Sequence, residues 1–344
     1  MLDLANAIAD QPRAELKLWG PPGPIPNRAV YVASTREAEW LKSLLREGGM
    51  AHLLRNRPLR ATATAIRLLA MLRRVFRREQ NIDVAHVAWL QNALALHGTR
   101  VPALISVLGS DFKLLRIPGM VRLLRAVLRQ RRAVIAPNSE WMVPRLQKYF
   151  GDIARIQYIP FGIDKRFLSL RRAIEVHQPR RWLVVLRLTQ KKIGPLFQWG
   201  ADIFGEDDQL HLFGPNQENI KIPGWVRYHG PTNPDTLSNE WFPQAAGVIS
   251  LSAHDEGRPQ VLLEAMAAGL PVIATPLPAH RDIIQHGKTG WLVDSQAALR
   301  AALEALREPS TNIALGTHAH DWVRQHIGTW DDCARRHLDQ YRNI

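Results

Sequence analysis

Two glutamates eight residues apart, Glu256 and Glu264, have the spacing in this chain that most suggests chemistry. The apolar run at 248–252 suits a buried parallel strand, and Gly257 and Pro259 predict a turn that leads into a helix. Glu256 then lies at the carboxyl end of a strand, where open α/β sheets bind ligands. Glu264 lies two turns along an otherwise apolar helix, where an unpaired charge is costly. The pair therefore predicts a ligand site, with a solvated loop residue and a surface helix residue as the alternative.

Two cations form a second candidate pair. Arg187 stands at the carboxyl end of the apolar run 182–186, and Lys192 follows five residues later. Long cations at the end of a strand and before a helix are suited to holding a diphosphate. Alone they are weak evidence, because a solvated surface also carries such lysines and Lys191 leaves the register open.

Taken together, the string 255–274 and the two cations closely resemble the core of the retaining glycosyltransferases of family four. That resemblance implies the GT-B fold, with two Rossmann-like α/β domains facing each other across a cleft. It implies three catalytic residues: Glu256, which contacts the donor sugar, and Arg187 and Lys192, which bind the diphosphate. It also implies that Glu264 contacts the ribose of the nucleotide. The other donor-binding residues that we predict are Gly257, Arg258, Pro259, Gln260 and Gly214.

The acceptor-side residues match the family pattern less completely than the donor-side residues do. The apolar run 103–107 predicts a buried strand that ends in a Gly-Ser-Asp turn, which in the family opens onto the cleft after a histidine. Leu108 stands at the histidine position, so His86 and His97 remain as candidates, although a lone histidine is more often structural. The acceptor-side candidates are Gly109, Ser110 and Asp111. Capping of a helix by Asp111 is an equally good interpretation.

The alternation of strands and helices predicts an N-terminal acceptor-side domain over 1–166 and a C-terminal nucleotide-sugar domain over 167–329. The segment 156–164 resembles the family's interdomain linker, with Gly162 and Asp164 matching and Phe161 in place of the usual asparagine. We expect the helix in 330–344 to pack back on the first domain. No strand and glycine-rich turn precede the first predicted helix, so the N-terminal domain is expected to lack its first strand.

Composition narrows the class of protein. The 344 residues are 46% hydrophobic and 22% charged, which is ordinary for a globular chain. The single cysteine, Cys333, excludes a disulfide framework and fits a reducing compartment. Neither a signal-peptide pattern nor an apolar run of about 18 residues is present, so a cytoplasmic or peripheral protein is predicted. The sequence lacks Asp-x-Asp, so we predict no metal and no cofactor; Asp207–Asp208 and Asp331–Asp332 are interpreted as surface residues.

Positive charge is concentrated in one half. Of the net charge of +14, residues 1–166 contribute 27 Lys and Arg against 12 Asp and Glu, whereas the remainder has 18 against 19. The first half therefore predicts an anionic partner. Two basic helices, 61–79 and 120–132, are expected to contact an anionic membrane surface, with two solvated helix faces as the alternative. Few aromatic residues interleave these arginines, so nucleic-acid binding ranks lower.

The main hypothesis is a retaining, metal-independent hexosyltransferase. The donor would be a UDP- or GDP-linked sugar, and the acceptor a hydroxyl of a glycan or lipid-linked glycan. As the resemblance implies, we expect a role in bacterial cell-surface polysaccharide or lipopolysaccharide synthesis at the inner face of the plasma membrane. The alternatives are a nucleic-acid-binding protein and a GT-B sugar-nucleotide epimerase.

Overall fold

The computed structural model describes residues 1–12, 14–24, 26, 28–50, 53, 57–79, 81–170, 172, 179–254 and 256–344, with the side chain of Ser110 left out. Two compact units are formed. The first comprises Met1–Asn138, Met142–Pro160 and Cys333–Ile344, and the second comprises Ser139–Trp141 and Phe161–Asp332. Within the described part of the chain, no helix is both long and apolar enough to cross a membrane.

The first unit contains a four-stranded parallel sheet in the order β3-β4-β5-β6. Its two central strands are buried along their whole length and are apolar except for Ser106, as expected for a parallel sheet covered on both faces. The strands β1 and β2 form a separate parallel pair. The strands are β1 Leu16–Leu18, β2 Ala29–Tyr31, β3 Ala85–Ala88, β4 Ala103–Val107, β5 Ala133–Pro137 and β6 Arg155–Ile156.

Helices cover this sheet, and the C-terminal helix belongs to the same unit from Cys333 onwards. The α-helices are α1 Leu2–Ala9, α2 Thr35–Arg46, α3 Pro58–Arg78, α4 Met120–Leu128 and α5 Val143–Phe150. Short 3₁₀ segments lie at Leu90–Leu96 and Ser110–Arg116, and another, at Glu140–Met142, belongs to the second unit except for Met142. Pro58 occupies the first turn of α3, where its missing N–H costs nothing.

The predicted basic helix 120–132 is too long at its C-terminal end. Helix α4 ends at Leu128, and Arg131 beyond it is buried rather than presented to an anionic surface. Its guanidinium donates to the carbonyl oxygens of Leu96 and Thr99 at 2.9 and 3.0 Å, so its charge is engaged by backbone groups of the same unit. On α4 itself, Arg125 is also engaged: it donates to Asp152.

The second unit contains a six-stranded parallel sheet in the order β12-β11-β10-β7-β8-β9. The strands are β7 Arg180–Val185, β8 Asp208–Phe213, β9 Val226–Gly230, β10 Gly247–Ser250, β11 Val272–Ala274 and β12 Trp291–Leu292. The α-helices of this unit are α6 Lys165–Leu168, α7 Gln190–Ile193, α8 Leu196–Gly200, α9 Pro234–Thr236, α10 Gln260–Ala267, α11 Pro278–Arg281, α12 Gln296–Ala305 and α13 Pro309–His326, and α14 Trp330–Arg342 begins in it. A π-helical turn at Leu237–Trp241 and a 3₁₀ turn at Phe242–Gln244 precede β10.

Helix α13 is not predicted by the hydrophobic pattern. Its buried face combines Leu315 and Val323 with small and polar residues, which interrupt the apolar stripe that marks an amphipathic helix: Asn312, Gly316 and Ala319. Gly316 is required there, because a Cβ would lie 2.0 Å from the carbonyl oxygen of Gly269, the residue that ends α10 with φ +72°. Close approach of two backbones holds α10 in place.

The interpretation of Asp208 as a surface residue is wrong. This carboxylate is 3% exposed at the start of β8 and pairs with Arg180 at 2.7 Å and Arg307 at 2.8 Å. The indole N–H of Trp182 donates to it at 2.9 Å. Burial favours the neutral form, but these three donors prevail and hold the pKa of Asp208 below its ordinary value.

Candidate donor site

The loop after β10 carries Glu256 and is tied down on two sides. The amide of Ala253 donates to the carbonyl oxygen of Lys191 at 2.8 Å. On the other side, the hydroxyl of Thr275, just past β11, donates to the carbonyl oxygen of Ser252 at 2.6 Å. These bonds join the loop to the chain that follows β7 and to the chain that follows β11, at the carboxyl edge of the sheet where ligands bind in such folds.

This arrangement brings two predicted catalytic residues together. Nζ of Lys192 lies 2.8 Å from Oε1 of Glu256, with the side chains 21% and 15% exposed. The backbone approach is close: a Cβ on Gly194 would lie 2.0 Å from the carbonyl oxygen of Leu251. Of the two neighbouring lysines, Lys192 is the one that pairs with Glu256, whereas Lys191 is exposed.

Glu264 lies on α10, where it is half-buried and accepts a hydrogen bond of 3.1 Å from the side chain of Gln260, one turn earlier. Two predicted donor-binding residues are thus in mutual contact. Pro259 is buried immediately before the helix, whereas Gly257 and Arg258 are half-buried. Asp255, which opens the motif, lies outside the described residues.

The other predicted donor residues stand at neighbouring strand ends. Arg187 is exposed just beyond β7, and its side chain has no ion-pair partner within the described ranges. Gly214 follows β8 with φ +126°, and a Cβ there would lie 1.8 Å from the carbonyl oxygen of Leu186. Only glycine allows the ends of β7 and β8 to come this close. Arg187 and Gly214 are thereby placed at one edge of the sheet.

An aromatic cluster lies on β8 and β9 below Gly214. His229 stacks on Phe213 with ring centroids 4.6 Å apart. The ring centroid of Trp241, in the π-helical turn, lies 4.7 Å from that of His229. His211 contacts His229 through a hydrogen bond of 3.0 Å between Nδ1 and Nε2. Burial, and then the neighbouring His229, lower the pKa of His211 to about 4. The cluster is therefore neutral at neutral pH and fixes the end of β9 beside the predicted nucleotide side.

Three residues in or beside the site were not identified from the sequence. Trp141, which groups with the second unit, donates from its indole to the carbonyl oxygen of Gly257 at 3.2 Å and from its amide to Asp282 at 2.9 Å. Burial, and then Glu140, raise the pKa of Asp282. His280 is fully buried on α11, and its Nδ1 lies 2.6 Å from the carbonyl oxygen of Thr275. No local pattern in the sequence marks these contacts, since they join distant segments.

The acceptor-side candidates lie in the first unit. Asp111 is 2% exposed, and its carboxylate accepts from the amides of Leu90 at 3.0 Å and Leu108 at 3.1 Å. Burial raises the pKa of Asp111, although these amide bonds oppose the rise. Gly109 precedes it with φ +100°, and Ser110 begins the 3₁₀ helix. The carboxylate thus caps backbone groups, and an acceptor role for 109–111 stays a prediction.

The two candidate histidines differ. His97 is exposed. His86 is held between the hydroxyl of Tyr341 at 2.6 Å and that of Ser106 at 2.7 Å, and its ring stacks on His337 of the C-terminal helix. His86 therefore serves as a buried structural contact of helix α14.

The donor-side arrangement can bind an anion beside a polyol. Two cations, Arg187 and Lys192, can face phosphate oxygens, and two carboxylates, Glu256 and Glu264, can accept hydrogen bonds from hydroxyl groups. Among the described residues, no group of three or more His, Cys, Asp or Glu side chains could hold a metal ion.

Comparison with known proteins gives this geometry a family. The model for "Glycosyl transferases group 1" matches residues 184–308, which include both cations and both glutamates. A GDP-mannose-dependent alpha-(1-6)-phosphatidylinositol monomannoside mannosyltransferase of Mycobacterium tuberculosis is 37% identical over 255 residues, covering 65% of this chain and 66% of that protein. The chain is a GT-B member of the family-four-like glycosyltransferases. The resemblance and the GT-B fold expected from the sequence are thus confirmed.

Solved GT-B structures agree on the fold. The Anabaena protein HepE in complex with UDP superposes with a TM-score of 0.67 at 14% identity, covering 80% of this chain and 82% of that one. A sucrose-phosphate synthase of Thermosynechococcus elongatus superposes with a TM-score of 0.64 at 18% identity.

Coverage of the curated relatives is partial. A D-inositol 3-phosphate glycosyltransferase of Corynebacterium urealyticum is 30% identical over 130 residues, which span 30% of that protein, and the mycobacterial alignment spans just under two thirds of its partner. The chain thus spans only part of the length of these curated relatives, and the residues that the family model matches, 184–308, lie in the second unit with the donor-side residues.

Proposed function

We propose that this GT-B chain is a retaining glycosyltransferase that uses a nucleotide-diphospho-sugar. The observation that carries the proposal is the Lys192–Glu256 ion pair of 2.8 Å, at the edge of the sheet that also presents Arg187 and Gly214. A cation for the diphosphate and a carboxylate for the sugar stand side by side there. The names of the relatives support a sugar-nucleotide donor, since one is GDP-mannose-dependent and HepE was solved with UDP.

In the proposed reaction, the bond between the anomeric carbon of the donor sugar and its phosphate oxygen breaks. The acceptor hydroxyl oxygen forms a new bond to that carbon on the same face, and its proton passes to the departing diphosphate. Arg187, Lys192 and the backbone amides near Gly257 stabilise the negative charge that develops on the diphosphate. Glu256 orients the sugar and Glu264 the ribose, with Arg258 and Gln260 adding to recognition of the donor.

The proposed acceptor is a hydroxyl of a glycan or lipid-linked glycan, met at an anionic membrane surface. Positive charge in residues 1–166 supports this part of the proposal, because it gives that stretch a net charge of +15 while the rest is near neutral. At the start of α4, Arg116 and Arg122 are exposed beside Ile117 and Leu123, which are 46% and 57% exposed. Cations next to exposed apolar side chains are suited to an anionic lipid surface.

The test is incubation of the purified chain with UDP- and GDP-sugars, scored for hydrolysis and for transfer to polyprenol- or lipid-linked glycans, with and without EDTA. Activity with at least one donor is expected, with the anomeric configuration of the donor retained in the product by NMR and no loss in EDTA. Inversion of the anomeric configuration would contradict the proposed mechanism. Loss of activity in EDTA would contradict metal independence. Conversion of the donor sugar without transfer would favour the epimerase.

A matched pair of variants locates the site. Lys192→Met is expected to abolish most of the activity and weaken UDP or GDP binding, whereas the exposed neighbour Lys191→Met leaves both near wild type. Equal loss in the two variants would mean that general positive charge, rather than the contact with Glu256, supports binding.

A further inference from the structure

His280 is a buried imidazole beside the candidate donor site that the proposed reaction does not use. It lies on α11, which follows β11 at the carboxyl edge of the six-stranded sheet. Its side chain is 0% exposed. A fully buried polar ring at this edge requires an account of both of its nitrogens.

The position of the proton on this ring follows from its hydrogen bond. Nδ1 lies 2.6 Å from the carbonyl oxygen of Thr275. Because a carbonyl oxygen only accepts, Nδ1 carries the proton, and in the neutral ring Nε2 presents a lone pair. Burial, the largest effect, lowers the pKa of His280, so the neutral ring prevails at neutral pH.

The lone pair of Nε2 is unused. This atom is buried and has no hydrogen-bond partner among the described residues. A buried acceptor without a donor destabilises the folded chain. Such a cost is commonly met where a site binds a ligand or changes its contacts, so Nε2 is available for a donor that changes its contacts when a ligand binds.

Two charged groups act on this ring, Lys192 and Glu256. The carboxylate raises the pKa of His280 and the ammonium lowers it. The hydroxyl of Thr275 also bonds Ser252 in the Glu256 loop, so the same residue that orients His280 holds that loop. Of the two charged groups, only Lys192 has N–H groups to donate to Nε2.

We propose that His280 is a positioning residue, whose Nε2 accepts a hydrogen bond from Lys192 when a nucleotide diphosphate binds. This inference rests on the proposed function. In the structure, Lys192 pairs with Glu256. When the sugar hydroxyls hydrogen-bond to Glu256, the neutral Nε2 of His280 can hold the ammonium group of Lys192 in place. Because Nε2 carries no charge, it does not compete with the phosphate for the charge of that group.

Calorimetric titration with UDP and GDP tests the proposal in four proteins: wild type, His280→Leu, Lys192→Met and the double variant. His280→Leu should bind about tenfold more weakly, the effect of one hydrogen bond to a charged group. In the Lys192→Met background the same change should have almost no effect. His280→Gln should restore binding, because its amide can donate to Thr275 while its oxygen accepts from Lys192.

Each other outcome has a defined meaning. Unchanged binding in His280→Leu, or equal losses in the wild-type and Lys192→Met backgrounds, would overturn the positioning role and leave the proposed function intact. Absence of UDP and GDP binding in wild type would overturn both. If His280→Leu does not fold, ¹⁵N NMR of the wild-type imidazole decides: saturating UDP or GDP should shift the Nε2 resonance, and an unchanged resonance overturns the proposal.

Discussion

The donor-side and acceptor-side candidates contrast in what their charged groups contact. Glu256 of the second unit pairs with a single lysine, and both side chains keep some exposure. Asp111 of the first unit is 2% exposed and accepts bonds from two backbone amides. A long, mobile ammonium can leave a carboxylate when a ligand arrives, whereas a backbone amide cannot. The difference separates a carboxylate available for a ligand from one already committed to the fold.

The largest effect that sharpens this contrast is expected at Glu256. Glu256→Gln removes the charge that orients the sugar and pairs with Lys192, and we expect transfer to fall by about 10²–10³-fold, the range for loss of one preorganised electrostatic group. Initial rates with the active donor measure it. The matched control is Glu206→Gln, an exposed carboxylate of the same unit. Wild-type rates in Glu256→Gln would remove the site assignment.

Asp111 should behave in the opposite way. Asp111→Ala leaves the amides of Leu90 and Leu108 without their acceptor, and the local free energy of opening should fall by about 3 kcal/mol. Hydrogen exchange over residues 85–116 should then speed up about 100-fold, with Asp111→Asn affected less and the exposed Asp83→Ala unchanged. Unchanged exchange with lost transfer would instead make Asp111 an acceptor-binding residue and erase the contrast.

Acid should weaken the attachment of the C-terminal helix. Burial lowers the pKa of His337 to about 4, because the ring is fully buried on α14. Below about pH 6.5 the imidazole of His337 is protonated in the unfolded segment but stays neutral in the folded one. The free energy of unfolding of the helix is therefore greatest above that pH and falls as the pH approaches about 4. Between pH 7 and 5 the loss from His337 is about 2 kcal/mol.

Hydrogen exchange of residues 330–342, corrected for the intrinsic rate at each pH, measures this loss. In His337→Gln that part of the pH dependence should disappear, with only the share of the neighbouring His86 left. An identical pH dependence in the variant would show that the imidazole of His337 is not buried neutral in solution.

The sequence predicts the second unit better than the first for a physical reason. Strands such as β10 and β11 are short apolar runs punctuated by glycine and proline, and Glu256 and Glu264 lie in the stretch that the family model matches. Local pattern and resemblance therefore indicate the same elements. The hydrophobic pattern does not predict helix α13, because its buried face includes Asn312 and Gly316, which are not hydrophobic.

Contacts between distant segments are what the sequence cannot supply. Asp207 and Asp208 are indistinguishable in the sequence. In the structure Asp207 is exposed, whereas Asp208 is buried and forms ion pairs with Arg180 and Arg307. Arg131 looks like one more cation of a basic helix, but carbonyl groups of 96–101 take up its guanidinium. His280 acquires its contact with Thr275, at the edge of the candidate donor site, only through the fold.

The smallest expected effect concerns the basic surface of the first unit. Arg122 is exposed on α4 beside Leu123, whereas Arg125, one turn on, is already bonded to Asp152. Arg122→Gln should weaken flotation with phosphatidylglycerol vesicles about fivefold, since a cation near an anionic surface contributes about 1 kcal/mol. Lys288→Gln, a matched exposed cation of the second unit, should have no effect. Equal losses at the two positions would show that net charge alone drives binding, and the first unit would then have no distinct lipid-facing surface.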